Sequence, residues 1–376
     1  MWSSADQQWM QQALELAAQG LYTTTPNPRV GCVLVQGEAR VGGGFHHRAG
    51  EPHAEVHALA EAGSQARGSK AYVTLEPCCH HGRTGPCTEA LIKAGVQSVI
   101  VATEDPNPKV AGQGLQRLRD AGLEVRCGLF AAEAQELNRG FFKRMRMGRP
   151  WVTAKMALSA DGRVALLNGQ SQWISDEASR ADGHHFRAQS CAVITGLGTF
   201  ERDHPLLTVR AVQTSRPPVR LLLDPWLRAD PDAAFFQHAH AWVAHWEGLP
   251  QAAQASVQRL LARGVRLLPI PAEPGATDGR RLSLTVLLEC LAQEGMNELL
   301  LEAGPGLASE FERQGLIDEW LLYWAPVFLG AGLGPLNHLD GAFSRPAEAP
   351  RWVILESSGA GQGLRIRLRR PRTDTL

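Results

Sequence analysis

The chain has 376 residues, 44% hydrophobic and 20% charged, with 38 basic against 38 acidic side chains. That length predicts two domains, because single cores rarely grow past about 250–300 residues, and the composition excludes a disordered chain. A formal net charge of zero offers no general attraction for nucleic acid or acidic membrane, so neither is expected as a partner.

The segment Met1–Met10 is polar and lacks the apolar core of a signal peptide. No apolar run approaches the roughly 20 residues that span a bilayer. A cytoplasmic location is expected, where thiols stay reduced. Seven cysteines, an odd number, argue against a full disulfide framework, and three of them fall between Cys78 and Cys87. Clustered cysteines in a reducing compartment suggest a metal.

In chain order, Trp9, Met10, Ala13, Leu14 and Ala17 make one apolar helical face, stopped by Gly20. Gly31–Val35 reads as a buried strand. His53–Ala62 reads as a helix after Pro52, and Ala71–Leu75 as a strand. Thr88–Ala94 is a helix, Val99–Ala102 a strand, Gly114–Ala121 a helix and Leu123–Cys127 a strand. This alternation implies an α/β sheet covered by helices. A helical pattern ends at Gly148-Arg149-Pro150 and a strand-like run starts at Trp151, which sets domains of 1–147 and 148–376. Beyond it, Ala192–Thr195, Val219–Leu223, Val265–Leu268 and Glu298–Leu301 read as strands. Ala252–Arg263 and Leu282–Gln293 read as helices. Pro269–Pro274 reads as a short loop, and Arg351–Leu355 with Leu364–Leu368 as a hairpin.

Chemistry concentrates first in Pro52-His53-Ala54-Glu55 and in Thr74-Leu75-Glu76-Pro77-Cys78-Cys79-His80-His81-Gly82-Arg83-Thr84-Gly85-Pro86-Cys87. One imidazole and two thiolates, from His53, Cys78 and Cys87, form a three-ligand set for Zn²⁺ with the tetrahedral fourth position open to water. Helix starts at His53 and Cys87 favour thiolate. Glu55 lies two residues from His53, about 200° around a helix. It suits a catalytic proton carrier better than a ligand. Cys79, His80 and His81 are the donors that would instead close the site as a structural zinc. His-x-Glu followed by Pro-Cys is the pattern of the zinc deaminases. Nucleic-acid-type deaminases space their cysteines as Cys-x-x-Cys, whereas eight residues separate Cys78 from Cys87.

In the second half, Leu299-Leu300-Leu301-Glu302-Ala303-Gly304-Pro305-Gly306-Leu307-Ala308 reads as strand, glycine turn, helix. Ser309 takes the place of the third glycine of a Rossmann fingerprint.

These segments, with Thr25-Pro26-Asn27-Pro28, Asp105-Pro106-Asn107-Pro108, Lys155 to Arg163, Ser171-Gln172-Trp173-Ile174, Phe186-Arg187-Ala188 and Asp203 to Arg210, resemble one family over nearly the whole chain. It is the bifunctional diaminohydroxyphosphoribosylaminopyrimidine deaminase/5-amino-6-(5-phosphoribosylamino)uracil reductase of riboflavin biosynthesis. The resemblance implies a cytidine-deaminase-like first domain and a dihydrofolate-reductase-like second domain. It implies one Zn²⁺, NADPH, a phosphorylated ribosylaminopyrimidine substrate, and a homo-oligomer, dimer or tetramer. It assigns Asn27, His46, His80, Arg83, Asp105 and Asn107 to the deaminase pocket. It maps the reductase substrate to Ser171, Arg187, Leu207, Arg210 and Glu302. It maps the cofactor to Ala157, Trp173, Thr199, Asp203 and the run Gly304, Pro305, Gly306, Leu307, Ala308, Ser309 and Glu310. By their chemistry, Asn27 and Asn107 also suit turns beside proline, and Arg187 and Arg210 suit a phosphate or a surface ion pair. Cys79 stands where the family often has Ser, and His204 where it often has Asp. A nucleic-acid-editing deaminase, a protein with one inactive domain and a zinc-stabilised binding protein are the competing classes. Zinc content and ammonia release separate them.

Overall fold

The computed structural model describes residues 1–80, 85–276, 279–336, 339 and 344–371, and the chain divides into two units, Met1–Arg149 and Pro150–Leu376. In the first unit, helix α1 (Ser4–Ala18) starts five residues before its apolar face. A capping box begins it: Ser3 Oγ accepts the Asp6 N–H at 3.0 Å, and Asp6 accepts the Ser3 N–H at 3.1 Å. Then follow β1 (Gly31–Gln36), β2 (Ala39–Phe45), α2 (Ala54–Ala62), β3 (Lys70–Val73), α3 (Cys87–Ala94), β4 (Ser98–Val101), α4 (Gln113–Asp120), β5 (Glu124–Cys127), α5 (Ala131–Leu137) and α6 (Arg139–Met147).

The sheet order is β2-β1-β3-β4-β5. Strand β1 is antiparallel to β2 and β3, and β3, β4 and β5 are mutually parallel. Period-two alternation along β1 sends Cys32 and Leu34 into a core with Ala54, Ala58, Leu91, Leu115 and Leu118. Val33 and Val35 face the other way, against Met10, Ala13, Leu14 and Ala134. Helices therefore cover both faces.

Strand β2 escapes the sequence reading because Gly42-Gly43-Gly44 interrupts its apolar signal. The glycines have a packing cause: a Cβ on Gly44 would lie 2.5 Å from His57 Cβ and 2.7 Å from the Ala54 carbonyl oxygen. Helix α2, with His53 as its N-cap and Glu55 in its first turn, thus lies flush on the strand.

The second unit runs β6 (Trp151–Leu158), β7 (Ala165–Leu166), α7 (Glu177–Gln189), β8 (Ala192–Gly196), α8 (Leu197–Asp203), β9 (Val219–Leu223), β10 (Ala241–Trp246), α9 (Gln254–Ala262), β11 (Arg266–Ile270), α10 (Leu284–Gln293), β12 (Glu298–Leu301), α11 (Pro305–Arg313), β13 (Glu319–Trp324), β14 (Gly332–Leu333), β15 (Val353–Ala360) and β16 (Gly363–Arg369). Nine strands form one sheet, ordered β11-β10-β9-β8-β12-β6-β13-β16-β15. Its pairings are parallel from β11 to β13; β16 is antiparallel to both β13 and β15.

The expected hairpin is β15 and β16. The expected Pro-rich loop is corrected. Pro269 and Ile270 finish β11, opposite His245 and Trp246 of β10. The strand is at the sheet edge, where a residue without an N–H is tolerated. Helix α7 had no apolar periodicity to announce it; Asp176 caps it, accepting the Ser179 N–H at 2.8 Å.

The packing of α2 on β2 generates a test. Gly44→Ala should overpack this contact and destabilise the fold by about 1–3 kcal/mol, read as a lower urea midpoint. An unchanged midpoint would show that α2 is free to lift from β2.

Candidate active sites

After β3 the chain turns through Thr74-Leu75-Glu76-Pro77 to Cys78. Cys78 Sγ meets the start of α3, where it accepts the Cys87 N–H at 3.4 Å. His53 Nδ1 lies 3.2 Å from Cys87 Sγ and 3.6 Å from Cys78 Sγ. These three ligand atoms lie within 4.8 Å of one another and form the metal-type His/Cys/Asp/Glu group found among the described residues. Cys79 and His80 are not in it, and His81 lies outside the described residues.

The donor set suits Zn²⁺ with a fourth position left open. Its electrostatics agree. The neighbouring Cys87 thiol, with help from His53, draws the Cys78 thiol down against burial. The same pairing, then burial, push Cys87 up. One thiol ionises readily and its partner resists, a conflict that a cation between them removes. Glu55 is 3% exposed. Burial raises its pKa, and the negative Cys78 adds to the rise.

Around this cluster, His46 Nδ1 lies 3.2 Å from the Pro52 carbonyl oxygen, which can only accept, so Nδ1 carries the proton. Nε2 is then an acceptor for Asn27 Nδ2 at 3.0 Å. Burial lowers the His46 pKa and keeps the ring neutral. The His46 ring stands edge-on to His53, centroids 5.2 Å apart. Asp105 is buried, and that burial lifts its carboxyl to about 7; its Oδ1 accepts the Asn107 N–H at 2.8 Å. Asn107 Oδ1 accepts the Lys109 N–H at 3.1 Å, so Asn107 does make a turn as well. His80 is exposed. Arg83 lies outside the described residues.

The second unit holds a cavity of about 740 Å³ beyond the carboxyl ends of β6, β8 and β12, where open α/β sheets bind ligands. Ala157, Ser171, Trp173, Arg187, Thr199, Asp203, Leu207, Arg210, Glu302, Gly304 and Pro305 all line it. The rest of the expected cofactor run does not. Gly306 is exposed on α11, and Leu307 packs against the core. Ala308 and Ser309 are buried. Glu310 accepts from Arg313 Nε at 3.1 Å and Gln314 Nε2 at 2.6 Å.

Within the cavity wall, Arg187 Nε and Nη2 donate to the two oxygens of Glu302 at 2.6 and 2.9 Å. Burial opposes ionisation of Glu302, yet Arg187 and Lys155 hold it at about 2. Burial also lowers the Lys155 pKa. Arg187 is therefore committed to Glu302, and Arg210 is the exposed cation of the two. Thr199 Oγ1 accepts the Gly304 N–H at 2.9 Å, and Ser171 Oγ donates to Asp203 at 3.2 Å. Trp173 is 70% exposed, with the Arg180 guanidinium 4.5 Å from its ring.

The sequence reading missed His184. It lines the cavity, accepts the Arg210 N–H on Nδ1 at 3.2 Å, and is held at about 4 by burial, Arg187 and Arg210. Arg180, His184 and Arg187 are spaced i, i+4 and i+7, one face of a helix. That spacing was the available signal.

A three-donor metal cluster with a buried carboxyl beside it fits a zinc deaminase, and a cavity at the carboxyl ends of a parallel sheet fits an α/β enzyme joined to it. The RibD C-terminal domain family matches residues 150–364, and the cytidine and deoxycytidylate deaminase zinc-binding region matches residues 3–103. The riboflavin biosynthesis protein RibD of Escherichia coli K12 is 43% identical over 376 residues, 96% of this chain and 99% of its own. Among solved structures, RibD of Acinetobacter baumannii is 43% identical with a TM-score of 0.88, covering 98% of this chain and 99% of that one. A diaminohydroxyphosphoribosylaminopyrimidine deaminase/5-amino-6-(5-phosphoribosylamino)uracil reductase from Thermotoga maritima is 29% identical with a TM-score of 0.83 over the same shares. The chain belongs to the RibD family, the bifunctional zinc-binding deaminases and NADPH-dependent reductases of riboflavin biosynthesis. Its first unit has the cytidine-deaminase-like fold and its second the dihydrofolate-reductase-like fold.

The ligand geometry predicts that Cys87→Ser loses bound zinc and deamination together, because a hydroxyl replaces a thiolate poorly. Cys79→Ser should keep one zinc per chain. Metal analysis of the purified variants decides it: a full equivalent in Cys87→Ser would refute the ligand set.

Proposed function

We propose that residues 1–147 deaminate 2,5-diamino-6-(5-phosphoribosylamino)pyrimidin-4(3H)-one by hydrolysis. Residues 148–376 then reduce the ribosyl group of 5-amino-6-(5-phosphoribosylamino)uracil to ribityl with NADPH. The observation that carries this reading is the buried carboxyl of Glu55 against an open three-donor set, in a chain whose other unit offers a separate cavity lined by Glu302, Arg187 and Lys155.

In the first site, His53, Cys78 and Cys87 hold zinc, which supplies Lewis-acid activation of water when bound. Glu55 is the catalytic proton carrier: its raised pKa lets it accept a proton from water and return it to the leaving ammonia. Asn27 and His46 form one rigid donor–acceptor pair against the pyrimidine edge. Asp105 and Asn107 form another, with Asp105 able to donate when protonated. His80 and Arg83 serve the phosphate end.

In the second site NADPH supplies hydride. Ala157, Trp173, Thr199, Asp203, Gly304 and Pro305 would contact the cofactor, and Gly306 to Glu310 would serve it by supporting that turn from behind. Ser171, Leu207 and Glu302 position the sugar. Glu302 stays ionised as an acceptor for ribosyl hydroxyls, with Arg187 fixing its orientation. Arg210 takes the phosphate.

The protein is proposed to work in the cytoplasm. All seven cysteines are unpaired, and no described helix is long and apolar enough to cross a membrane; recovery in the membrane fraction would oppose this. It is also proposed to form a homo-oligomer, dimer or tetramer. Val353, Ile354 and Leu355 are exposed in succession on edge strand β15, where natural edges are usually blunted by charge. Ile354→Lys should lower the molecular mass in solution; an unchanged mass would place the interface elsewhere.

Two variants test the division of labour. Glu55→Gln should keep zinc, lose about 10²–10⁴-fold in ammonia release, and reduce the deaminated substrate normally. Arg210→Ala should weaken reduction about 10–100-fold through KM, since a charge-assisted hydrogen bond contributes about 1.5–3 kcal/mol, and should spare ammonia release. Loss of both activities in either folded variant would point to one shared site.

A further inference from the structure

Glu76 stands two residues before Cys78, and the chemistry above gives it no task. Its side chain is 4% exposed. Its two oxygens accept four backbone N–H groups: Oε2 from Asp105 at 3.1 Å and Gly112 at 2.9 Å, Oε1 from Gly114 at 2.8 Å and Leu115 at 3.1 Å. Its own N–H donates to the Thr103 carbonyl oxygen at 3.0 Å. All four donors belong to residues 105–115, the stretch that carries Asp105 and Asn107 and leads into α4. The contact is also sterically closed, because a Cβ on Gly114 would sit 2.2 Å from the Pro77 carbonyl oxygen.

A carboxylate has about four lone-pair sites, and here each faces one donor. Glutamine has a single acceptor oxygen, so in either orientation its amide would turn N–H groups toward two backbone donors. Aspartate is one methylene short. The clamp therefore asks for Glu. Its reach extends to the pocket, because Asp105 hangs from a clamped N–H and in turn accepts the Asn107 N–H at 2.8 Å.

We propose that Glu76 is a positioning residue of the deaminase: it locks the Asp105–Asn107 stretch to the loop that presents Cys78, so that the groups recognising the pyrimidine are in register with the metal. This rests on the reading that Asp105 and Asn107 face the substrate.

The test uses the full-length, zinc-loaded protein. Glu76→Gln should retain one zinc per chain and unchanged reductase activity, while KM for deamination rises about tenfold, as expected for two lost hydrogen bonds, and kcat falls less. Glu76→Asp should fall between it and the parent, and carries the same test if the Gln variant is insoluble. In the Glu76→Gln background, Asn107→Ala should lose most of its own effect on KM. A lowered melting temperature with unmoved KM would overturn the proposal, since the clamp would then be structural only. Loss of zinc would also overturn it, by making Cys78 the group that Glu76 holds. Asp105→Asn and Asn107→Ala in the parent separate the two layers. If neither moves KM, the pocket reading fails; if they do and Glu76→Gln does not, the clamp fails.

Discussion

Two thiols and a carboxyl crowded into one largely buried site resist ionising together, and the first unit is built around that constraint. Charge in a dry interior must be paired. Cys78 obtains a backbone N–H from the start of α3 and the imidazole of His53; Cys87 is left competing for the same stabilisation. A divalent cation held by His53, Cys78 and Cys87 would make the second ionisation favourable. The requirement reaches far from the metal. Helix α2 must begin at His53 and lie flat, which forces Gly44 beneath it. Helix α3 must begin at Cys87, which brings that thiol to Cys78.

The reductase cavity meets a related problem with the protein's own cations. Glu302 is half-buried, and its charge is sustained by the Arg187 fork and by Lys155. Arg187 donates to Glu302 and to the Thr208 carbonyl oxygen, and it lines the cavity. The neutral His184 beside it suits this crowded positive environment. An imidazolium there would face the guanidinium groups of Arg187 and Arg210, and burial already disfavours it.

The elements legible in the sequence were those whose apolar period had nothing to compete with it. Strand β1 and helix α10 bury on both faces or along one stripe, and their patterns said so. Strand β2 was illegible because close packing had replaced its side chains with glycine. Helix α7 was illegible because its face turns toward a polar cavity, so arginine and histidine stand at the spacing where leucine would give it away. Strand β11 ends in proline, a residue that usually breaks strands, and only its place at the sheet edge makes it admissible. Periodicity reports what faces hydrocarbon; it is silent where an element faces a site.

The same distinction governs the two sites. The metal set comes from three short stretches, and residue type alone restricts what such a cluster can do: few arrangements besides a metal centre bring an imidazole and two thiols within 4.8 Å. The reductase residues are common types, drawn from β6, α7, α8, β12 and the segments between them, and no local spacing joins Ser171 to Asp203 or Thr199 to Gly304. They become a site only when the parallel strands bring their carboxyl ends together. For that half, family resemblance supplied the grouping that local chemistry could not. Glu76 lay between these cases. It stands within the most legible motif of the chain, yet its work is done on backbone groups 29 to 39 residues away, and a backbone N–H carries no sequence signature of its own.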